Sequence, residues 1–309
     1  MNTGIDSKAI AMVVDDEQIV QESVKRILQE NGFTVESASS VAQALDMIKR
    51  TKYDLILTDL MMPDQNGMAL VEILARECPD TGVIMFTGYP SIDSAVDSIK
   101  LGAMDYLPKP FSPDQLIDVT QKALKRIIAL RRDKQSQQVY EEAEKALRSS
   151  LDLKEILELV CCASKDLLQA KGASVLIRQK EGPFLELAAS CGLSDNYVNK
   201  GALDATRSIA EVQVKGTFVF VDETSFGEKL QYPAAASEEG IASILSVPLF
   251  LKGTIIGCLR VYSSNKRRYD DKEIDLITKF SVHAASAIEN AILYETMRKD
   301  IAGLKKYMR

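Results

Sequence analysis

No apolar run in the chain approaches the roughly 18 residues needed to cross a bilayer, because Lys252 interrupts the longest one, "ILSVPLFLKGTIIGCL". The N-terminal "MNTGIDSKAI" lacks both a basic n-region and an apolar h-region, so no export signal is expected and the expected location is cytoplasmic. Cysteine is scarce and odd in number, five in 309 residues, with no CxxC and no histidine pairing. Cys161, Cys162 and Cys258 lie in apolar segments and Cys78 precedes a proline, which reads as reduced, mostly buried thiols. Histidine occurs once, at position 283. Positive charge is outweighed, 38 Lys and Arg against 44 Asp and Glu, and the net charge of −6 argues against a nucleic-acid surface. What is present, 46% hydrophobic and 27% charged residues over 309 positions, suits a globular chain of about two domains.

The first 120 residues alternate strand and helix patterns. "KAIAMVVDDE" reads as an apolar strand ending in acids, followed by a helix over 18–31 with Val20, Val24, Ile27 and Leu28 on one face. "FTVESAS", "DLILTD", "GVIMFTG" and "MDYLPKP" are the next strands, with helices predicted over 41–49, 68–77 and 91–101. Near-continuous apolar strands separated by helices predict a doubly wound parallel sheet of five strands, covered on both faces.

In such a sheet, ligands gather at the carboxyl ends of the strands. Strand one ends in Asp15 and Asp16, strand three in Asp59, strand four in Thr87 and strand five in Lys109. Three carboxylates at one edge repel unless a cation lies between them, and oxygen-only ligation suits Mg²⁺. A metal, a hydroxyl and an ammonium together neutralise a transferring phosphoryl group, with one carboxylate as nucleophile. Asp59, followed at once by the turn "LMMPDQNG", is the residue expected to be phosphorylated.

"VVDDEQ", "LILTDLMMPDQNGM" and "MFTGYPSIDSAVDSIKLGAMDYLPKPF" resemble the receiver domain of two-component response regulators, over residues 8 to about 124. The resemblance implies a flavodoxin-like fold and a histidine kinase as phosphodonor. It makes Asp59 the phosphoacceptor and gives Mg²⁺ the ligands Asp15, Asp16, Asp59 and the backbone carbonyl of Met61. It also assigns Thr87 and Lys109 to the phosphoryl oxygens, a cis peptide before Pro110, and the switch-aromatic position to Tyr106. Met61 and Tyr89 fall where receivers place the side chains beside the path of the hydrolytic water.

Ser112 opens a helix with Pro113 first and Gln115 three residues after the cap, and no glycine or further proline follows before about Arg148. Leu116, Val119, Ala123, Ile127 and Leu130 make an apolar stripe that lapses around "RRDKQSQQ" and resumes at Tyr140, Ala143 and Leu147. A helical pattern this long suggests a coiled coil or signalling helix over 125–150 and a homodimer; a solvated monomeric connector is the alternative. Beyond it, Asp152 and Glu155 predict a capping box, three strands follow, then a hairpin from Ile244 to Tyr262 turning at Lys252-Gly253, and a closing helix starts near Asp270 and Glu273. Helix, mostly antiparallel strands, helix is an α+β layout.

"ASILSVPLFLKGTIIGCLRVYS" followed by "KEIDLITKFSVHAASAIENAILYE" resembles a GAF domain across about residues 151 to 295, with 296–309 extending its last helix. The resemblance leaves a small-molecule ligand or plain protein contact open, and the ligand stays unassigned. "NKRRYDDKE" echoes the cyclic-nucleotide motif of some members but loses its acidic pair, so a turn and a helix cap are expected there. Cys191 has no adjoining histidine and is expected to be a free thiol; His283 has Ala284 after it instead of an acid and is expected to be a packed helix residue. The expected function is a phosphorylation-activated response regulator that passes its signal through the helix to a GAF domain acting on a downstream protein. Neither an enzymatic output nor nucleic-acid binding is expected. The alternative is a sensor whose GAF-bound small molecule gates phosphorylation or partner choice.

Overall fold

Residues with apolar side chains at every position have two faces to cover, and in the first part of the chain the solution is a parallel sheet between two layers of helix. The computed structural model describes residues 9–63, 66–178, 184–201, 203–204, 212 and 216–307. Strands β1 (Ile10–Val14), β2 (Thr34–Ala38), β3 (Leu55–Asp59), β4 (Gly82–Thr87) and β5 (Asp105–Pro108) pair in the order β2-β1-β3-β4-β5, parallel throughout. The inner strands β3 and β4 are buried at every position, whereas the edge strand β2 buries only Val35 and Ala38. Successive side chains go to opposite faces: Ala11, Val13, Leu55, Leu57, Ile84 and Phe86 pack on one side, Met12, Val14, Ile56, Val83 and Met85 on the other. Helices α1 (Gln18–Glu30), α2 (Val41–Ile48), α3 (Gly67–Glu77) and α4 (Ile92–Leu101) complete the layers with the start of α5 (Pro113–Ser149). This is the flavodoxin-like arrangement expected from the sequence.

Local signals set the helix ends. Ser40, Asn66 and Ser91 cap α2, α3 and α4 by accepting hydrogen bonds from backbone N–H groups of the first turn, and Gly102 closes α4 at φ 117°. Ser112 and Gln115 form the reciprocal box at the start of α5, at 3.2 and 2.8 Å.

The chain divides into two compact units, Met1–Asp133 and Lys134–Arg309, with the boundary inside α5. The apolar stripe of α5 is consumed within each of them. Leu116, Ala123 and Ile127 are buried in the first unit, Ala143 and Leu147 in the second, and Leu130, beside the lapse, is 49% exposed. Periodicity records that a face is apolar, and the buried positions of this one belong to two separate cores, one in each unit.

The second unit is an antiparallel sheet of six strands in the order β8-β7-β6-β11-β10-β9. Its strands are β6 (Gly172–Arg178), β7 (Phe184–Cys191), β8 (Leu203–Asp204), β9 (Val219–Asp222), β10 (Ser243–Leu251) and β11 (Thr254–Ser263). The β10–β11 hairpin turns at Lys252 (φ 49°) and Gly253 (φ 82°), the pair of positive φ values that matches strand twist in a two-residue turn. One sheet face, with Val175, Val247, Leu259 and Val261, is covered by α6 (Leu153–Leu167) and by a closing helix, Asp271–Tyr307, that contributes Ile277, Phe280, Ala284 and Ile288. The other, with Leu176, Ile244, Cys258 and Tyr262, packs Tyr197, Phe226 and Ala236.

Two expectations change here. Asp152 does accept from the Glu155 N–H at 3.0 Å, but the Glu155 carboxylate takes the Ser150 hydroxyl at 2.7 Å, and Ser150 in turn accepts from the Asp152 N–H. A nearer hydroxyl has captured the carboxylate, so the box is not reciprocal. Cys162 and Cys191 form a disulfide, so neither is the reduced thiol expected from sequence. They lie 29 positions apart without a motif, and only the docking of α6 on β7 brings them together.

Core placement of the α5 stripe is tested by Ile127→Ala and Leu147→Ala, each wholly inside one unit. Denaturant unfolding should show each losing about 2–5 kcal/mol, whereas an exposed seam position would change by less than about 0.5.

Candidate functional site

The carboxyl ends of β1, β3, β4 and β5 deliver the expected residues to one place because all these strands run the same way. Asp15 and Asp59 are buried, at 0% and 6% exposure, while Asp16 faces solvent. Carboxylate oxygens of Asp15, Asp16 and Asp59 lie within 4.8 Å of one another. The Lys109 ammonium reaches between the two buried acids, donating to Asp15 Oδ2 at 2.8 Å and to Asp59 Oδ2 at 2.7 Å, and stands 4.8 Å from the centre of the Phe86 ring. The Lys109–Pro110 peptide is cis.

The free oxygens of the acids are held by backbone. Asp15 Oδ1 accepts from the Glu17 N–H at 2.8 Å and Asp59 Oδ1 from the Met61 N–H at 3.2 Å. Thr87, fully buried, accepts from the Tyr89 N–H at 3.2 Å. Met61 and Tyr89 project their side chains outward, 59% and 81% exposed. Tyr106, half-buried on β5, brings its hydroxyl to 3.2 Å from the Ser94 hydroxyl at the start of α4.

Electrostatics follow from burial. Desolvation pushes the Asp15 carboxyl up, the Lys109 and Glu17 hydrogen bonds pull it down, and the neighbouring Asp59 adds to the rise. Burial disfavours the Lys109 ammonium, yet hydrogen bonds to Asp15 and Asp59 outweigh it, and its pKa lies above the ordinary lysine value. One ammonium against three carboxylates leaves an excess of negative charge. A hard divalent cation with oxygen ligands fits that donor set.

Sequence reasoning missed what lies beneath Asp59. A β-carbon on Gly67 would stand 1.9 Å from the Asp59 carbonyl oxygen, and the Gly67 N–H donates to the Leu60 carbonyl at 2.9 Å. The turn after β3 folds back tightly enough that only glycine fits. The Asn-Gly pair preceding a helix was the available signal. Gln21 also went unread: its amide donates to the Asp15 carbonyl at 2.5 Å and the Ala38 carbonyl at 3.3 Å, tying the ends of β1 and β2.

Other singled-out residues lie in the second unit. Tyr269 is buried with its hydroxyl 2.6 Å from Ser263, and Asp270 and Glu273 cap the closing helix reciprocally at 2.9 and 3.1 Å. The "NKRRYDDKE" stretch thus serves a turn and a cap. His283 lies 41% exposed, its Nδ1 3.0 Å from Glu144 Oε1 and its ring edge-on to Tyr140.

Residues 11–121 match the response regulator receiver domain, and residues 152–290 match the GAF domain. The chain joins a response regulator receiver domain to a GAF domain. The receiver portion is similar to the alginate biosynthesis transcriptional regulatory protein AlgB of Pseudomonas putida, 36% identical over 124 residues, covering 40% of this chain and 28% of that protein. The nitrogen assimilation regulatory protein NtrX of Azorhizobium caulinodans is 29% identical over 234 residues, covering 74% of this chain and 46% of that protein. Among solved structures, a CheY-like receiver domain protein from Methanospirillum hungatei shares 32% identity, covering 40% of this chain and 98% of that one at a TM-score of 0.39. The chain spans half or less of the length of such curated relatives. Neither domain is an enzymatic output domain, and among the described residues no helix is long and apolar enough to cross a membrane.

Gly67→Ala should cost at least about 1–3 kcal/mol in denaturant unfolding, since the clash is with backbone and not with a side chain able to swing away.

Proposed function

We propose that this chain is a phosphorylation-activated response regulator, in which Asp59 takes a phosphoryl group from a histidine kinase and the GAF domain delivers the signal by protein contact. The observation that carries the reading is the Lys109 ammonium shared between Asp15 and Asp59, with the Thr87 hydroxyl at the next strand end. These groups are already held by hydrogen bonds to one another and to backbone N–H groups, and preorganised charge is the main resource of phosphoryl transfer.

Asp59 attacks phosphorus; the phosphorus–nitrogen bond of the donor breaks and its electron pair stays on the imidazole. Lys109, already a donor to Asp59, is in place to donate to the arriving oxygens, and Thr87 supplies a hydroxyl donor. Asp15, Asp16, Asp59 and the Met61 carbonyl are the residues that would hold Mg²⁺, which supplies charge neutralisation when bound. Once formed, the acyl phosphate adds about −1.5 to −2 of charge where Thr87 is fully buried. Drawing Thr87 toward it leaves room for Tyr106, whose departure would break its 3.2 Å contact with Ser94 in the capping box of α4. The proposed domain plan is a receiver over 1–124, a helical linker over 125–150, a GAF domain over 151–295 and a helical extension over 296–309. A cytoplasmic homodimer acting on a downstream protein, without nucleic-acid contact, completes the reading.

Incubation with acetyl phosphate and Mg²⁺ should add one phosphoryl mass to the chain, and both Asp59→Asn and chelation of the metal should abolish the gain. Labelling that persists in Asp59→Asn would refute the assignment. The same reading makes the phosphoryl group long-lived, because the outward Met61 and Tyr89 side chains flank the Asp59 and Thr87 positions and neither orients a water well. The double variant Met61→Asn with Tyr89→Asp should therefore release phosphate faster by roughly tenfold or more. An unchanged release rate would remove the shielding role.

A further inference from the structure

Cysteine 161 and cysteine 162 are neighbours on α6 with opposite surroundings. Cys161 is wholly buried in the GAF core, and desolvation pushes its thiol up to about 12. Cys162, turned by about 100° on the helix, is partly exposed and meets Cys191, also partly exposed, at the end of β7. Their Cα atoms are 5.4 Å apart, within the ordinary span of a disulfide. The remaining thiols stand elsewhere, Cys258 fully buried in the opposite layer and Cys78 after α3 in the receiver.

A cation accompanies the pair. Lys165 follows Cys162 by three residues and so shares its face of α6. Its Cδ lies 3.2 Å from where a β-carbon of Gly192 would stand, so its stem runs over the strand end that carries Cys191. The side chain is 31% exposed and its ammonium is 3.4 Å from Asp166. Both sulfurs are partly exposed and within bonding reach of each other, the arrangement in which an oxidised thiol is resolved by a second thiol.

We propose that Cys162 and Cys191 are a reversible oxidation site, a dithiol–disulfide couple whose oxidising substrate is a small hydroperoxide. One thiolate attacks the peroxide; its sulfur gains an oxygen, the O–O bond breaks, and the leaving oxygen takes a proton to depart as water or alcohol. The sulfenic acid formed is attacked by the other sulfur. The S–S bond forms, the S–O bond breaks, and hydroxide leaves with the second thiol's proton as water. The peroxide has then accepted two electrons and the two thiols have lost them. A dithiol reductant returns two electrons and two protons through a mixed disulfide. The consequence in the GAF domain is a covalent fastening of α6 to β7 that exists only after oxidation.

The test uses the full chain, reduced with dithiothreitol, desalted, exposed to hydrogen peroxide, alkylated and mapped by mass spectrometry. A linked peptide joining 162 to 191 is expected, formed also in Cys161→Ala, absent from Cys162→Ser and Cys191→Ser, and reopened by dithiothreitol under native conditions. Reduction should lower the Tm by roughly 5–10 °C, and neither serine variant should show that shift. Both thiols remaining alkylatable after peroxide would overturn the proposal. So would a link that native reductant cannot open, or one that Cys162→Ser still forms through Cys161. An equal reductant-dependent Tm shift in Cys191→Ser would also overturn it.

Discussion

An ammonium held between two buried carboxylates is costly to assemble, because each charge must leave water before the attraction is gained. In the receiver that cost is met by geometry fixed elsewhere. Lys109 follows a strand paired to β4, with its own N–H bonded to the Thr87 carbonyl at 2.7 Å, and a cis peptide aims the chain that follows. Asp15 and Asp59 arrive on β1 and β3, whose register brings Val14 beside Thr58. The second oxygen of each acid is taken by a backbone N–H, so neither side chain is free to turn away from the lysine. Remove the parallel register and the three groups have no reason to meet.

The same dependence explains what could be read in advance. Parallel strands buried on both faces write themselves as unbroken apolar runs, and the residues that end those runs must share an edge. That is why Asp15, Asp16, Asp59, Thr87 and Lys109 were identifiable from sequence, and why the helix start at Ser112 was too. Each is a local chemical preference that tertiary structure had no cause to override.

What escaped notice depended on distances across the fold. An apolar stripe on α5 tells of a covered face but not of its cover, and Ile127 and Leu147 are covered by different cores. Gly67 carries no sign of the carbonyl pressed against it. Glu155 had a reciprocal cap available and bonded Ser150 instead, a competition among neighbours that spacing rules do not resolve. Cys162 and Cys191 are brought together only by a helix packing on a strand.

Strand order has a bearing on how this chain acquires its form. In the receiver, β1 is emitted first yet lies between β2 and β3, so its second neighbour appears only when residue 55 has been made. In the GAF sheet the delay is longer: β6, at 172–178, waits for β11, at 254–263, with the sheet's four other described strands synthesised between them. At ribosomal speeds of about 5–20 residues per second, that gap lasts several seconds. The apolar face of β6 and its neighbour α6 must survive that interval without its partner strand. The N-terminal unit, whose sheet is complete by residue 108, has closed by then, so the nascent protein carries one finished domain and one open sheet edge.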